Sequence, residues 1–251
     1  MASARYKTAL VAGTGLGAAA FMAWAVRGRS SRVFGPSVWR GSTGRRALAL
    51  TFDDGPSEAT PRLLEILHQH RVTATFFQIG RNVQRLPRVA RAVAEAGHAI
   101  GNHSYSHHLL CNPRFGFPPR GWIERDLRRA QEIIEKHTGV APTWFRAPYG
   151  VRWFGLRPAL DRLRLRSVMW TVIGYDWKRT GSADAAAEAI AARVASKVSN
   201  GAIACFHDGR ELSVNPDADV TLGAIRRLLP VLLDQGYEFE SLENLLCPLK
   251  N

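Results

Sequence analysis

Cysteine is scarce in this 251-residue chain: Cys111, Cys205 and Cys247 are the only three, and no two share a short spacing. That excludes a disulfide framework and a zinc knuckle and leaves one bridge at most. Cys205 lies in a strand-like apolar run, where it reads as a small buried residue. Acidic residues are also few, 21 Asp and Glu against 34 Lys and Arg, giving a net charge of +13 and a pI near 10.6. Such a surplus favours an anionic partner: a cell-wall polymer, a membrane surface, or nucleic acid as the generic alternative. The cations are dispersed over helical stretches such as Arg81 to Arg91 and Arg125 to Arg129, however, as solvated helix faces are, so no nucleic acid is expected. No internal repeat or low-complexity tract is visible. With 46% hydrophobic residues the chain can bury one substantial core, and α/β barrels of this length are routinely one domain.

Long uncharged runs are confined to the amino terminus. Arg5 and Lys7 precede Thr8 to Val26, nineteen residues rich in Ala and Gly. As a helix they would span roughly 28 Å, about one bilayer core. The segment is a membrane anchor or an export signal: Ala23-Trp24-Ala25 offers a small-x-small cleavage site, whereas the length favours an uncleaved anchor. Gly13 and Gly17 form a weak helix-pairing motif. Arg27, Arg29 and Arg32 follow the span and, by the positive-inside rule, compete with Arg5 and Lys7 over its orientation. Arg27 to Arg46, rich in Ser, Gly and Arg, reads as a linker. The expected division is therefore 1–34, anchor or signal plus the start of the linker, and 35–251, the globular domain.

Within the domain, strand candidates alternate with helical stretches. The strands are Ala47 to Phe52, Ala74 to Ile79, His98 to Gly101, Thr143 to Arg146, Arg166 to Trp170, Ala202 to Phe206 and Tyr237 to Ser241. The helices include Pro61 to His70, Leu86 to Ala96, Ile123 to His137, Ala185 to Ser199 and Thr221 to Gln235. Alternation of this kind argues an α/β fold on a parallel sheet.

Polar residues collect where these strands end. Thr51-Phe52-Asp53-Asp54-Gly55-Pro56 puts two carboxylates at the end of an apolar run, and about fifty residues later comes His103-Ser104-Tyr105-Ser106-His107. Two ionised carboxylates side by side repel unless a cation is shared nearby. Two imidazoles four residues apart converge if their segment turns like a helix, and two His with one Asp and an open position make a catalytic zinc arrangement, leaving the other Asp as a base. Taken singly, Asp-Asp-Gly-Pro is also a good turn, and a His pair can arise by chance among eight histidines. Further strand ends carry Arg146 before Pro148-Tyr149-Gly150, Asp176-Trp177, and His207-Asp208. Singly, Arg146 suits a surface ion pair and His207 a satisfied strand-end histidine. Together they follow the pattern of parallel strands that carry catalytic groups at one face of a barrel.

These five ordered motifs resemble those of the polysaccharide deacetylase family, also called the NodB homology domain or carbohydrate esterase family 4, over roughly residues 46 to 247. The resemblance implies a distorted parallel (β/α) barrel of about seven strands, TIM-barrel-like. It further implies a metal-dependent hydrolase that removes N-acetyl groups from N-acetylglucosamine-containing polysaccharide such as peptidoglycan, chitin-like polymer or exopolysaccharide, releasing acetate. Asp53 matches the general base, Asp54, His103 and His107 the metal ligands, and Arg146 the partner of the base. Asp176 matches the residue that orients the acid, His207 the acid, and Trp177 a wall of the acetyl pocket. N–H groups of the turn at Tyr149 could face the oxyanion. The ligand set suits several first-row ions, zinc first, with cobalt and nickel as alternatives. An O-acetyl esterase acting on xylan-type glycans and a catalytically inactive carbohydrate-binding barrel are the competing readings. A polysaccharide substrate implies a domain outside the cytoplasm, held at the cell membrane by the N-terminal helix or secreted after cleavage. The chain departs from the family pattern at Ile173, where an Asp is frequent, and at Cys205, where a Leu is frequent. Both changes bear on the pocket lining, as does the Pro- and Phe-rich segment Asn112 to Arg120.

Overall fold

The computed structural model describes residues 17–108, 121–178 and 181–246. Cys111, Cys247, Asn112 to Arg120 and the first half of the Thr8 to Val26 run lie outside the described residues. In chain order the elements are helical residues 17–27 (α1), β1 Ser37–Val38, β2 Ala47–Gly55, α2 Thr60–Gln69, β3 Thr75–Gln78, α3 Gly80–Arg85, α4 Pro87–Glu95, β4 Ala99–Asn102 and α5 Trp122–Thr138. There follow β5 Trp144–Phe145, a 3₁₀ turn at Pro148–Gly150, α6 Leu156–Leu163, β6 Arg166–Val168, β7 Val172–Ile173, α7 Ala183–Ala195, β8 Ala202–His207, α8 Asp219–Asp234, β9 Glu238–Phe239 and α9 Leu242–Leu246.

All nine strands among the described residues belong to one parallel sheet, ordered β1-β6-β5-β4-β3-β2-β8-β7, with β9 beside the start of β2. β6 and β7 are separated only by residues 169–171, yet β6 pairs with β1 and β5 near one end of the sheet while β7 pairs with β8 at the other. The sheet must therefore curl until its two ends meet, which makes it the distorted barrel expected from the sequence. All seven expected strands are present. The two additional ones, β1 and β7, have two residues each, too few to show a period.

Strand periodicity sorts the core into two layers. On β2, Leu48, Leu50 and Phe52 point outward and pack with Phe76, Ile100 and Phe206 under Leu63, Ile66 and Leu67 of α2 and the apolar faces of α7 and α8. Each such side chain, fully buried, contributes about 1.5–3 kcal/mol. Ala47 and Ala49 point inward with Phe77, Val168 and Ile203, and Leu242 and Leu245 of α9 join them at the amino ends of the strands. The same alternation carries Thr51 and Asp53 to the inward face, one and two steps closer to the carboxyl ends. Apolar filling at the bottom thus gives way to polar groups at the top, the side where parallel barrels carry their chemistry.

The stretch 27–46 is not a free linker. β1 joins the sheet against β6, and Phe34, buried, packs on Trp153 and Phe154 with ring centroids 5.2 and 4.8 Å apart. Arg152 is only 1% exposed; its guanidinium donates to the Ser31 carbonyl at 2.8 Å and to the Gly28 carbonyl, and its backbone N–H donates to the Val26 carbonyl at 3.0 Å. A Ser-, Gly- and Arg-rich composition hides this, because what docks is mostly backbone. No helix among the described residues is long and apolar enough to cross a membrane.

Candidate active site and metal centre

Asp53 and Asp54 are neighbours on a strand, so a regular pleat would send them to opposite faces. β2 breaks its pleat at this point. Its register against β3 shifts between Asp53 and Gly55, and Asp54 takes a left-handed φ of 70°. Both carboxylates consequently line one cavity of about 660 Å³ at the carboxyl ends of the strands. Gly209 is required beside them, since a Cβ there would collide with the Asp54 carbonyl oxygen.

Asp54 Oδ1 lies 3.3 Å from His103 Nε2 and 3.0 Å from His107 Nε2. The histidines converge, but not by the helical turn that their spacing suggests. After β4 the chain bends tightly, with Ser104 and His107 left-handed at φ 68° and 59°. Asn102 Oδ1 accepts the Ser104 N–H at 2.8 Å, Ser104 Oγ accepts that of His107 at 3.0 Å, and Asp126 Oδ2, from α5, accepts those of Tyr105 and Ser106 at 2.9 and 3.3 Å. Non-glycine residues persist in this backbone region when their surroundings over-determine it, as these side-chain acceptors do.

The donor set fits a divalent cation. His103 Nδ1 sits 2.8 Å from the Arg146 carbonyl oxygen, which can only accept, so Nδ1 carries the proton. In its neutral form the ring would present the Nε2 lone pair to Asp54 Oδ1, and a cation held by both would reconcile two acceptors at that distance. One atom from each of Asp54, His103 and His107 lies within 4.8 Å of the others, and all three residues are buried. Burial alone would raise the Asp54 pKa; the His103 and His107 contacts outweigh it and hold the group well below 3.8. Asp54 is steadied further by the Glu211 N–H, 2.9 Å from Oδ2, and by Asn82 Nδ2, 2.9 Å from its carbonyl oxygen.

Asp53 is held by Arg146, whose side chain is fully buried and not at the surface. Arg146 Nη1 donates to Asp53 Oδ1 and to Thr51 Oγ1, each at 2.7 Å, and Nη2 donates to the Met169 carbonyl at 3.3 Å. The guanidinium also lies 4.2 Å from the Phe77 ring centroid. The parallel register places His207 of β8 directly beside Asp53. Asp176 receives both ends of that histidine: Oδ1 is 2.9 Å from His207 Nδ1, and Oδ2 accepts the His207 backbone N–H at 2.8 Å and the Thr221 hydroxyl at 2.8 Å.

Aromatic rings form the rim. Trp177 meets the His207 ring edge-on at 4.7 Å, and Tyr149 meets His107 at 4.7 Å while its hydroxyl donates to Glu211 Oε1 at 2.8 Å. Eight of the nine site residues expected from the sequence line the cavity, and the ninth, Arg146, stands behind Asp53. Ile173 and Cys205 line it too, so both departures from the family pattern fall on its wall. Sequence reasoning passed over Asp126, Asn82, Thr221 and Glu211, which hold the backbone and second oxygens of the site residues. It also gave no role to Asp208, buried, whose Oδ2 accepts the Thr60 hydroxyl at 2.6 Å and whose pKa burial pushes up to about 7. Only Glu211 had a local signal, its place just after the His207-Asp208 pair.

A family model described as polysaccharide deacetylase matches residues 40–167. The chain is 36% identical over 214 residues to a chitooligosaccharide deacetylase of Sinorhizobium fredii, covering 82% of this chain and 94% of that protein. It is 31% identical over 211 residues to a peptidoglycan-N-acetylglucosamine deacetylase of Bacillus cereus, covering 83% and 71%. A solved structure from Bacillus anthracis, described as a pseudoenzyme of carbohydrate esterase family 4, superposes with a TM-score of 0.70 at 29% identity, over 84% of this chain and 68% of that one. Since a pseudoenzyme shares the architecture, fold likeness alone does not carry turnover; the site residues must.

Proposed function

The chain belongs to the polysaccharide deacetylase family and is a polysaccharide N-deacetylase, and we propose on that premise that it is a metal-dependent enzyme releasing acetate from N-acetylglucosamine-containing polymer outside the cytoplasm. The observation that carries the reading is the convergence of Asp54, His103 and His107 beside a base candidate, Asp53, and an acid candidate, His207, on one cavity wall. A divalent ion held by Asp54, His103 and His107, zinc first among the candidates, would polarise the amide carbonyl and make a water nucleophile available near neutral pH.

The remaining chemistry belongs to the chain's own groups. Asp53, with Arg146 fixing one oxygen, takes the proton from the attacking water. N–H groups of the turn at Tyr149 face the developing oxyanion. An amine leaves poorly as its anion, so the departing nitrogen needs a proton, and His207 holds one. Burial alone would lower its pKa, but the charge and hydrogen bond of Asp176 outweigh that and raise it to about 9. Trp177 and Tyr149 flank the acyl group and the sugar. The N-terminal helix is assigned to the membrane, as an anchor or as a signal removed on export.

The test is acetate release from chitooligosaccharides, peptidoglycan and acetylated xylan by metal-loaded and chelator-stripped protein. We expect release from the first two with metal only. Activity confined to xylan would replace the amide reading with an ester one, and full activity without metal would overturn the metal reading.

A further inference from the structure

Two residues before His207, on the same inward face of β8, stands Cys205, fully buried and lining the cavity. Its Sγ lies 3.4 Å from Asp53 Oδ2, the carboxylate oxygen that Arg146 does not hold. His207 completes a second cluster, for one atom from each of Asp53, Cys205 and His207 lies within 4.8 Å of the others. With His207 Nδ1 tied to Asp176, Nε2 is the nitrogen left for an ion, which must displace the proton that the ring otherwise holds there at neutral pH. We propose that Asp53, Cys205 and His207 form a second metal site that takes a thiophilic divalent ion such as zinc and, when filled, stops turnover.

Donor chemistry and geometry both support it. Thiolate, carboxylate and imidazole are the three side-chain donors of zinc sites, and sulfur and oxygen ligands at ordinary zinc bond lengths on a tetrahedral centre lie about 3.5 Å apart. Burial and the adjacent Asp53 push the Cys205 thiol pKa up, so the ion must displace the thiol proton to solvent on binding, after which thiolate and carboxylate together neutralise it. The sulfur selects zinc, cobalt or cadmium over magnesium or manganese. The neighbouring trio of Asp54, His103 and His107 offers no sulfur, so the two sites differ in spectroscopic signature. An ion in that trio and the Arg146 guanidinium both repel a second cation, so the second site fills after the first, in metal excess. Its effect on turnover rests on the proposed roles of Asp53 and His207, since one ion would occupy base and acid together; its existence does not.

Titration of the full chain with cobalt(II) tests the binding directly. We expect two equivalents, the second bringing a sulfur-to-cobalt charge-transfer band in the near ultraviolet. Cys205→Ser and Cys205→Ala should each lose the band and the second equivalent. In parallel, zinc inhibition of acetate release, scaled to each variant's own uninhibited rate, should need about tenfold more free zinc or higher without the thiol, while excess magnesium inhibits neither form. A wild-type spectrum with no sulfur band, or inhibition by zinc unchanged in both variants, overturns the proposal. A single equivalent without sulfur defeats this site and leaves the trio standing. A single equivalent with sulfur supports this site and defeats the trio.

Discussion

Asp53 and His207 stand side by side across β2 and β8, and each has its own buried counter-charge: Arg146 Nη1 at 2.7 Å from the carboxylate, Asp176 Oδ1 at 2.9 Å from the imidazole. The Asp176 contact raises the His207 pKa to about 9, which suits the donor role proposed for it beside the proposed acceptor Asp53.

The pH profile should report the second pair. A His207 pKa near 9 lies above the solution value of 6.5, so the acid form persists through neutral pH and is lost as pH rises through about 9. The alkaline limb of kcat/KM is expected there. Asp176→Asn should move the limb to lower pH with metal content unchanged. By linkage, the stability that this contact contributes is fully present below about pH 6.5 and fades as pH climbs through about 9. A limb unmoved by both Asp176→Asn and His207→Ala would return His207 to the role of an ordinary strand-end histidine.

Asp53→Asn should preserve bound metal and lower turnover by about 10²–10⁴-fold, since it deletes a proton acceptor and not a ligand. Metal analysis beside the acetate assay checks it. Loss of metal would show that the roles of Asp53 and Asp54 are reversed.

His103→Ala removes a donor that the Arg146 carbonyl orients, so metal content and turnover should fall together, with added zinc restoring only part of the rate. Full turnover by a variant shown to be metal-free would falsify the assignment of the trio.

Arg146→Met leaves Asp53 buried beside an apolar chain. Breaking a buried pair by removing one partner costs about 3–5 kcal/mol, so denaturant midpoint and turnover should both drop. Arg146→Lys should rescue poorly, because the fork that reaches Asp53, Thr51 and the Met169 carbonyl is replaced by a single ammonium. A lysine variant equal to wild type in both measurements would show that charge alone matters there.

Arg152→Ala should free residues 27–36, measured as faster limited proteolysis in that stretch with the domain core intact. Equal cleavage rates would mean that Phe34 and β1 suffice to hold it.

What the sequence disclosed divides along physical lines. Apolar runs and helical periods were legible: β2 and β8 announce themselves as short apolar runs and α7 and α8 by apolar residues at helical spacing, and the five polar clusters at strand ends predicted which side chains would meet. Local backbone conformation was not. The bend that holds Ser104 and His107 left-handed also rests on Asp126 of α5, which accepts the Tyr105 and Ser106 N–H groups between them, and Asp54 is met by Asn82 and Glu211; a chain read locally does not contain these contacts. The supporting shell escaped for the same reason. Asn82 and Thr221 are unremarkable as letters and act only through contacts made across the fold. The linker reading of residues 27–46 failed because Arg152 grips carbonyl oxygens, which every sequence has.

That grip has a mechanical consequence. Arg27, the last residue of the helix, is itself on the cavity wall, and Val26, Gly28 and Ser31 are bound within a few residues of it. The join between helix and barrel is therefore a strut and not a leash: whatever holds the helix also fixes the direction in which the catalytic mouth looks. Were the helix held at a surface, a flexible tether would let the barrel sweep a volume set by its contour length, whereas a strut would confine its mouth to substrate passing at one height and one angle.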